Sequence, residues 1–399
     1  MLPASRCLST MGRAMSAFKP TSKCDAGLQH PLMGARLGHL LRLLRCYGPP
    51  SSSNWPLVAA CIGSALCRVP FRLLDQVARH RRRDLLSDMS DPVFIIGHWR
   101  SGTTHLHNLL SLSPVFGHIS PLASGLPDEI LTLGTWLRPL LEKALPEDRH
   151  VDRVRVTPDS PQEDEIPLAN MQMHSIFHAL YFPKQFVALA QSGIFFEDVP
   201  ARDIARWQAE ARRFAEKIVI HQGKSLLLIK NIVYTARIRL LLDIWPMARF
   251  IFIRRNPYEV FASTRHYYQN LLHQLALQPF DHVELEPFIF ATFLKLHEVY
   301  ERDKGLIREG RLIEMSYEDL VDHPLSCLAK IHDVFDLPHW GEAERVMRVY
   351  LQQHADYQRN RLELSDTDRE AIQQNWGAIM TSWGYEMRRC PGLSLPPQR

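Results

Sequence analysis

One segment, Phe94–Leu110 (FIIGHWRSGTTHLHNLL), constrains the fold of this 399-residue chain more than any other. Its apolar residues up to Gly97 are typical of a short buried strand, and the leucines after the turn have helical spacing. The predicted helix begins near Gly102. Because a helix start presents free backbone N–H groups and a positive dipole end, such a strand–turn–helix binds phosphate groups. The segment therefore predicts a phosphate-binding loop after a buried strand.

Side chains in the turn strengthen this prediction. Arg100 supplies a fixed charge with a forked geometry that suits oxyanions, and Thr103 and Thr104 supply hydroxyl donors. Gly102 lets a phosphate approach the backbone closely. The Gly97-x4-Gly102 spacing is that of the loop in nucleotide triphosphatases, but Thr103 stands where those enzymes require lysine. We therefore expect a phosphate site without the usual contact to the γ-phosphate of ATP.

A second strand–turn–helix pattern occurs in Arg249–Asn270 (RFIFIRRNPYEVFASTRHYYQN). Arg255 lies at the end of the predicted strand, Pro257 suits the first helical position, and Ser263 lies eight residues after Arg255. A helix start can present both side chains to phosphate oxygens. The chain therefore has two candidate phosphate sites, each at a strand–helix junction.

These two segments resemble the donor-binding motifs of the sulfotransferase family. Arg100–Thr104 (RSGTT) is similar to the loop that binds the 5′-phosphosulfate of 3′-phosphoadenosine 5′-phosphosulfate (PAPS). Cytosolic members usually have lysine at the position of Arg100, whereas a broader bacterial and eukaryotic group often has arginine. The resemblance implies that Arg100 holds the 5′-phosphate and stabilises the leaving phosphate oxygen. The rest of the cradle would be Ser101, Gly102, Thr103 and Thr104.

The second segment resembles the family's 3′-phosphate motif, Arg-Asn-Pro-x-Asp/Glu with a serine eight residues after the arginine. The resemblance implies that Arg255 and Ser263 hold the 3′-phosphate of PAPS, a group that ATP lacks. The main alternative is a nucleotide kinase or triphosphatase with a degenerate loop, which would need Mg²⁺ and a lysine after Gly102. No spacing of cysteines and histidines suggests a metal site, so we expect PAPS and no metal.

Lys230 ends another apolar run, Leu226–Lys230, and precedes Arg255 by 25 residues. Members of the family usually carry a lysine at this strand end, 24 or 25 residues before the phosphate-binding arginine. The resemblance implies a catalytic role in which Lys230 stabilises charge on the transferred sulfuryl oxygens. The alternative is a strand-end lysine that extends into solvent.

The resemblance does not identify the catalytic base that must take the proton of an acceptor hydroxyl. Cytosolic members have Lys-Thr-His where this chain has Lys-Asn-Ile at 230–232, so that histidine is absent. Carbohydrate and tyrosyl-protein members use a glutamate shortly after the first helix, where residues 116–127 contain no acid. The histidines that flank the loop are further candidates: His98, His105 and His107.

Three acids also remain as candidate bases: Glu163, Asp164 and Glu165. Pro161–Glu165 (PQEDE) is similar to a string that is common in the broader group, which makes Glu163 and Glu165 candidates. Ser160-x-x-Glu163 is also a capping box with proline at the first helical position. We therefore expect Glu163 to cap a helix and Glu165 to be the base.

Short apolar runs alternate with helical patterns, which predicts a buried and mostly parallel sheet. The resemblance covers residues 91–340 approximately and implies a P-loop-type three-layer α/β/α sandwich with an N-terminal helical extension. We expect a disordered or targeting segment at 1–30, a basic helical extension at 31–90 and a sulfotransferase domain at 91–390. The predicted strands are Val93–Gly97, Leu226–Lys230, Arg249–Ile253 and Leu312–Met315.

The N-terminal part is basic, because residues 1–90 contain 13 Lys/Arg and 4 Asp. This charge suits an anionic partner, a membrane surface or a solvated arm. Its helices would form either a cap on the domain or a peripheral membrane contact. The longest apolar stretch, Leu57–Cys67, falls short of the roughly 18–20 residues that span a bilayer and is followed by Arg68.

The seven cysteines follow no disulfide or zinc pattern, which predicts a cytoplasmic protein, peripheral to a membrane if the N-terminal helices bind one. Residues 1–24 contain no acid, so organelle targeting is the alternative. We expect sulfuryl transfer from PAPS to a hydroxyl of a small-molecule, glycan or lipid acceptor, and no nucleic-acid partner. A non-catalytic, membrane-associated member of the fold is a second alternative. Residue types select neither the acceptor class nor the oligomeric state.

Overall fold

A parallel sheet forms the centre of the computed structural model, which describes residues 30–138, 160–354 and 364–386. Its five strands are β1 (Val93–Gly97), β2 (Phe116–Gly117), β3 (Leu226–Lys230), β4 (Arg249–Arg254) and β5 (Leu312–Ser316). They lie in the order β2-β3-β1-β4-β5, and every neighbouring pair is parallel. Four strands confirm the prediction, and the two-residue β2 is too short to show as an apolar run.

Helices cover both faces of this sheet. Those before β3 are α1 (Leu37–Tyr47), α2 (Trp55–Arg81), α3 (Thr103–Leu110), α4 (Pro121–Gly125), α5 (Glu165–Ala169), α6 (Ile176–Tyr181), α7 (Phe186–Phe195) and α8 (Ala201–Gln222). Those after β3 are α9 (Ile238–Ile244), α10 (Pro257–Leu275), α11 (Leu285–Asp303), α12 (Tyr317–Asp322), α13 (Pro324–Val334), α14 (Trp340–Gln353) and α15 (Asp366–Ser382).

Side chains of the strands alternate between two hydrophobic cores, as the period of a strand requires. Phe94 and Ile96 of β1 pack into one core with Phe250 of β4. Val93 and Ile95 face the opposite side and pack into a second core. A sheet buried on both faces is the middle layer of a three-layer α/β/α sandwich, which confirms the predicted fold class.

The two N-terminal helices pack against the first of these cores. Leu40 of α1 and Val58 of α2 are fully buried there. A buried ion pair between Asp75 of α2 and Lys217 of α8, at 2.6 Å, adds a polar contact. The helices before the sheet therefore share its core, and the domain boundary at residue 91 stays a prediction. The predicted segment at 1–30 lies outside the described residues except for His30.

Helix α2 overturns the expectation that no stretch is long enough to span a bilayer. The helical stretch Ser52–Arg81 has the length and apolar composition of a membrane-crossing helix, a test that core helices of other proteins also pass. In the sequence Arg68 ended the apolar run. In the structure Arg68 turns inward and pairs with Glu129 at 2.8 Å, so it does not interrupt the apolar face.

Candidate active site

The parallel strands bring their carboxyl ends to one edge of the sheet, where ligands bind in open α/β folds. The loop after β1 carries Arg100, and the loop after β4 carries Arg255. Lys230 ends β3, and Tyr317 directly follows β5. The topology therefore assembles segments that are distant in sequence.

The loop after β1 turns sharply into α3. Arg100 and Gly102 both have left-handed backbone, with φ of 67° and 97°, and Gly102 is the N-cap of α3. A Cβ on Gly102 would lie 2.1 Å from Cδ2 of Tyr317. Glycine is therefore required here both for its conformation and for the close approach of the aromatic ring. The predicted helix start is confirmed.

Arg100 reaches from this loop to the second motif. Its Nε donates a hydrogen bond to Oγ of Ser263 at 2.8 Å, and Nη1 of Arg255 donates to the carbonyl of Arg100 at 3.2 Å. Arg255 also pairs with Glu259 one turn along α10, and its guanidinium lies 4.4 Å from the centre of the Tyr317 ring. The fold thus joins Arg100, Arg255 and Ser263 in one cluster.

Ser101 provides a test of whether this loop fits an anionic group. The side chain is 1% exposed, and its hydroxyl has no hydrogen-bond partner among the residues that the structure describes. Buried hydroxyls are normally paired, and a phosphate oxygen would accept this one. The first N–H groups of α3, from Thr103 onward, also have no partner within their own helix. These donors fit the phosphate end of PAPS.

Lys230 connects the loop to the candidate bases. It is 4% exposed, and its Nζ donates a hydrogen bond to Oγ1 of Thr104 at 3.3 Å. On its other side it forms an ion pair with Glu163. Lys230 therefore does not extend into solvent, although its position at a strand end would have allowed that.

Glu163 does not cap a helix, so the expected capping box is wrong. Helix α5 begins at Glu165, its N-cap residue is Asp164, and no side chain caps it. The ion pair with Lys230 draws Glu163 to the sheet edge and keeps it away from the helix start at Ser160 that the sequence suggested. The Glu163 side chain remains 24% exposed, so a substrate can reach it.

Glu165 is held by internal partners instead. It is 1% exposed and accepts hydrogen bonds from Oγ of Ser175 at 2.7 Å and from Nδ2 of Asn231 at 3.0 Å. The guanidinium of Arg237, which is also fully buried, lies 3.9 Å away. These contacts suit a carboxylate that fixes its neighbours, and they remove the reason for preferring Glu165 over Glu163 as the base.

Sequence reasoning named Asp164 among the remaining acids but gave it no role. Asp164 accepts hydrogen bonds from Nδ2 of Asn231 at 2.7 Å and from the hydroxyl of Tyr234. Burial raises the pKa of Asp164 to about 7. The acidic string at 161–165 was the available signal, but its middle acid matched no assigned role.

A small cavity lies beside Glu163. Glu165 and Asn231 also line it. The remaining walls are aromatic and aliphatic, and they include Trp99, Ile176, Phe177, Leu180, Tyr267 and Leu271. A few polar groups in an apolar cavity are typical of a small-molecule site. This cavity can place the apolar part of an alcohol next to a carboxylate.

The histidines near the loop do not line this cavity. Burial lowers the pKa of His98 to about 4, and its ring lines a second small cavity with Trp383 and other aromatic residues. His107 is fully buried in α3, and the ring of His105 packs against Tyr317. Their positions favour Glu163 over the histidines as a base for a substrate in the first cavity.

Positive charge at this edge comes from Arg100, Arg255 and Lys230. Guanidinium and ammonium groups stabilise phosphate and sulfuryl oxygens directly. In the parts of the chain that the structure describes, no cluster of three or more His, Cys, Asp or Glu is placed to hold a metal ion.

Known proteins are similar to this chain over most of its length. The model of the sulfotransferase family matches residues 92–342. Curated relatives from Mycobacterium tuberculosis and Mycobacterium bovis, both named omega-hydroxy-beta-dihydromenaquinone-9 sulfotransferase Stf3, are 30% identical over 309 residues, which are 77% of this chain and 78% of theirs.

Two solved structures share the fold at 16% sequence identity. Sulfotransferase STF9 from Mycobacterium avium superposes with a TM-score of 0.62 over 88% of this chain and 97% of that chain. Sulfotransferase STF1 from Mycobacterium tuberculosis superposes with a TM-score of 0.56 over 86% of this chain and 91% of that chain.

Proposed function

Because this chain belongs to the sulfotransferase family, we propose that it transfers a sulfuryl group from PAPS to the hydroxyl of an apolar, lipid-like alcohol. The position of Lys230 carries the proposal. Its Nζ contacts both Thr104 of the phosphate loop and Glu163 beside the apolar cavity. A cation and a carboxylate therefore stand between the donor side and the acceptor side.

The donor half of the site accounts for both ends of PAPS. The loop of Arg100 and Ser101 and the start of α3 would receive the 5′-phosphosulfate. Arg255 and Ser263 would receive the 3′-phosphate. The hydrogen bond between Arg100 and Ser263 supports one bound nucleotide across both motifs, because it brings the two motifs into contact.

The reaction follows from these positions. Glu163 accepts the proton of the acceptor hydroxyl while the hydroxyl oxygen attacks the sulfur in line. Lys230 donates hydrogen bonds to the sulfuryl oxygens, where charge develops. The bond between sulfur and the phosphate oxygen breaks, and Arg100 stabilises the charge that this oxygen gains. The products are a sulfate ester and 3′-phosphoadenosine 5′-phosphate (PAP).

The choice of an apolar acceptor has two supports. The cavity beside Glu163 is walled by aromatic and aliphatic side chains. The Stf3 relatives act, by their name, on a hydroxylated menaquinone derivative. Sugars would need more polar partners than this wall offers, since each buried hydroxyl requires a hydrogen bond.

A calorimetric titration tests the donor half. We expect PAP to bind at least about tenfold more tightly than ATP or ADP, without Mg²⁺, a difference of about 1.4 kcal/mol or more. Arg255→Gln and Ser263→Ala should weaken PAP binding, whereas Arg348→Gln, which removes an exposed arginine of α14, should not. Tighter binding of ATP would contradict the proposal.

A transfer assay with PAPS, read by mass spectrometry, tests the acceptor half. Apolar primary alcohols, phenols and sugars would be offered in parallel. We expect sulfated product with the apolar alcohols. Product with sugars alone would contradict the apolar acceptor, and PAP binding without any product would indicate the non-catalytic alternative.

A further inference from the structure

The outer face of α2 is apolar along nearly its whole length. Its large exposed side chains are Trp55, Leu66, Val69, Leu73, Leu74 and Val77, each between 43% and 59% exposed. None of the fully exposed residues from 55 to 74 is charged. At 1.5 Å per residue this face extends about 33 Å. A continuous exposed apolar face of this size marks an interaction surface.

Two charged residues of α2, Arg68 and Asp75, lie on its inner face. Arg68 pairs with Glu129 at 2.8 Å, and its guanidinium also donates to the carbonyl of Ala35. Asp75 pairs with Lys217 at 2.6 Å. This arrangement is the reverse of an ordinary surface helix, which turns its apolar side inward. The buried ion pairs hold α2 against the side of the protein with its apolar face outward, an orientation that suits a helix lying along a bilayer.

The C-terminal half of this face carries the residue types that favour a lipid headgroup region. The C-terminal end of α2 continues into Arg81, Arg82 and Arg83, all exposed. Trp136 is 67% exposed and packs edge-to-face on Phe71 of α2. Tryptophan favours the boundary between headgroups and acyl chains, and arginine pairs with anionic headgroups.

We propose that α2 lies in the surface of an anionic lipid bilayer, with its outer face at the headgroup–acyl boundary and Arg81–Arg83 on lipid phosphates. Charge complementarity favours this occupant over a second copy of the chain. A parallel second copy would bring two arginine clusters together, and an antiparallel copy would place each cluster against the apolar end at Trp55. The proposal does not depend on the reaction proposed above.

Vesicle flotation of the full chain tests the proposal. The protein would be mixed with vesicles of phosphatidylcholine alone, or of phosphatidylcholine with phosphatidylglycerol at about one third, and bound protein counted after centrifugation. We expect strong flotation with the anionic vesicles, and a loss of at least about tenfold in partition when salt rises to roughly 0.5 M.

Two variants locate the contact. Leu66→Ser/Leu73→Ser/Val77→Ser removes apolar surface at exposed positions, and Arg81→Gln/Arg82→Gln/Arg83→Gln removes the basic end. Each should lower partition to the anionic vesicles at least about tenfold. The matched control, Val346→Ser/Val349→Ser, changes exposed valines of α14 and should leave it unchanged. All variants should bind PAP like the parent chain.

Three results would overturn the proposal. They are an absence of flotation of the parent chain, flotation that neither variant reduces, and a dimer in light scattering that the apolar variant dissociates. The last result would assign this face to a second copy of the chain.

Discussion

At the scale of residues, three consecutive acids show how the surroundings decide a role. Glu163 is partly exposed and pairs with Lys230 beside the cavity. Asp164 is buried and accepts hydrogen bonds from Asn231 and Tyr234. Glu165 is buried and accepts hydrogen bonds from Ser175 and Asn231. Of the three, only Glu163 combines access from solvent with an ion pair to Lys230. Residue type alone could not distinguish the three, because the burial and the hydrogen-bond partners of each carboxyl group come from the fold.

Paired substitutions test this assignment of the base. Glu163→Gln keeps the shape of the side chain and removes the proton acceptor, so kcat should fall by about 10²–10⁴ while PAP affinity changes little. Glu165→Gln should lower the midpoint temperature of unfolding, because it disturbs a buried network, and should reduce kcat less. Steady-state kinetics and thermal unfolding measure both effects. A larger loss of kcat in Glu165→Gln at an unchanged unfolding temperature would move the base to Glu165.

Asp164 predicts a pH dependence of stability. Burial raises its pKa from the ordinary 3.8 to about 7, so the folded state retains a proton that the unfolded state releases. Between pH 4 and 7 this group therefore lowers the free energy of unfolding as pH rises, by at most about 1.4 kcal/mol per pH unit. Asp164→Asn should remove that slope and gain stability relative to the parent chain as pH rises. Denaturant unfolding at several pH values would show it, and parallel curves for the two proteins would contradict it.

At the scale of elements, the turn from β1 into α3 depends on one glycine. Gly102→Ala would place a methyl group at φ 97° and against the ring of Tyr317. Such strain costs about 1–3 kcal/mol, so we expect a lower unfolding temperature and PAP affinity reduced at least about tenfold. Calorimetry and thermal unfolding measure the two effects.

The matched control is Gly63→Ala in α2, where an added Cβ meets nothing within 4 Å. It should leave PAP affinity unchanged and raise stability slightly, since alanine favours a helix over glycine by about 0.5–1 kcal/mol. Equal PAP affinity in Gly102→Ala and the parent chain would show that the phosphate site does not need this turn.

At the scale of the whole molecule, buried neutral histidines limit stability in acid. Burial lowers the pKa of His30 and His98 to about 4 and of His39 to about 3. Because the unfolded chain protonates these groups near pH 6.5, stability present above that pH is lost as pH falls toward 4. Each histidine lowers the free energy of unfolding by about 1.4 kcal/mol for every pH unit of that fall.

The measurement is the unfolding temperature between pH 7 and 4. We expect the unfolding temperature to fall steeply as pH decreases. His39→Gln should make this fall smaller, whereas the control His266→Gln, at an exposed position, should leave it unchanged. Unfolding temperatures that stay level down to pH 4.5 would contradict the prediction.

Four of the five described strands, the two strand–turn–helix motifs and the family could be predicted from the sequence alone. These features are local, because a strand, a turn and a helix start that are adjacent in sequence form the same motif whatever the rest of the fold. The sequence also placed Lys230 at a strand end. The resemblance to sulfotransferases then linked the two motifs to one donor, and the match of the family model confirmed that family.

Side-chain roles that depend on residues distant in sequence could be assigned only from the tertiary structure. The capping box at 160–163 is a common local pattern, but Glu163 instead forms an ion pair with Lys230 of β3, and no side chain caps the helix. Arg68 ended an apolar run in the sequence, yet pairing with Glu129 turned it inward and left α2 apolar outside. The physical reason is the same in both cases. The orientation of a buried charged side chain depends on the position of its ion-pair partner, and only the fold brings that partner close.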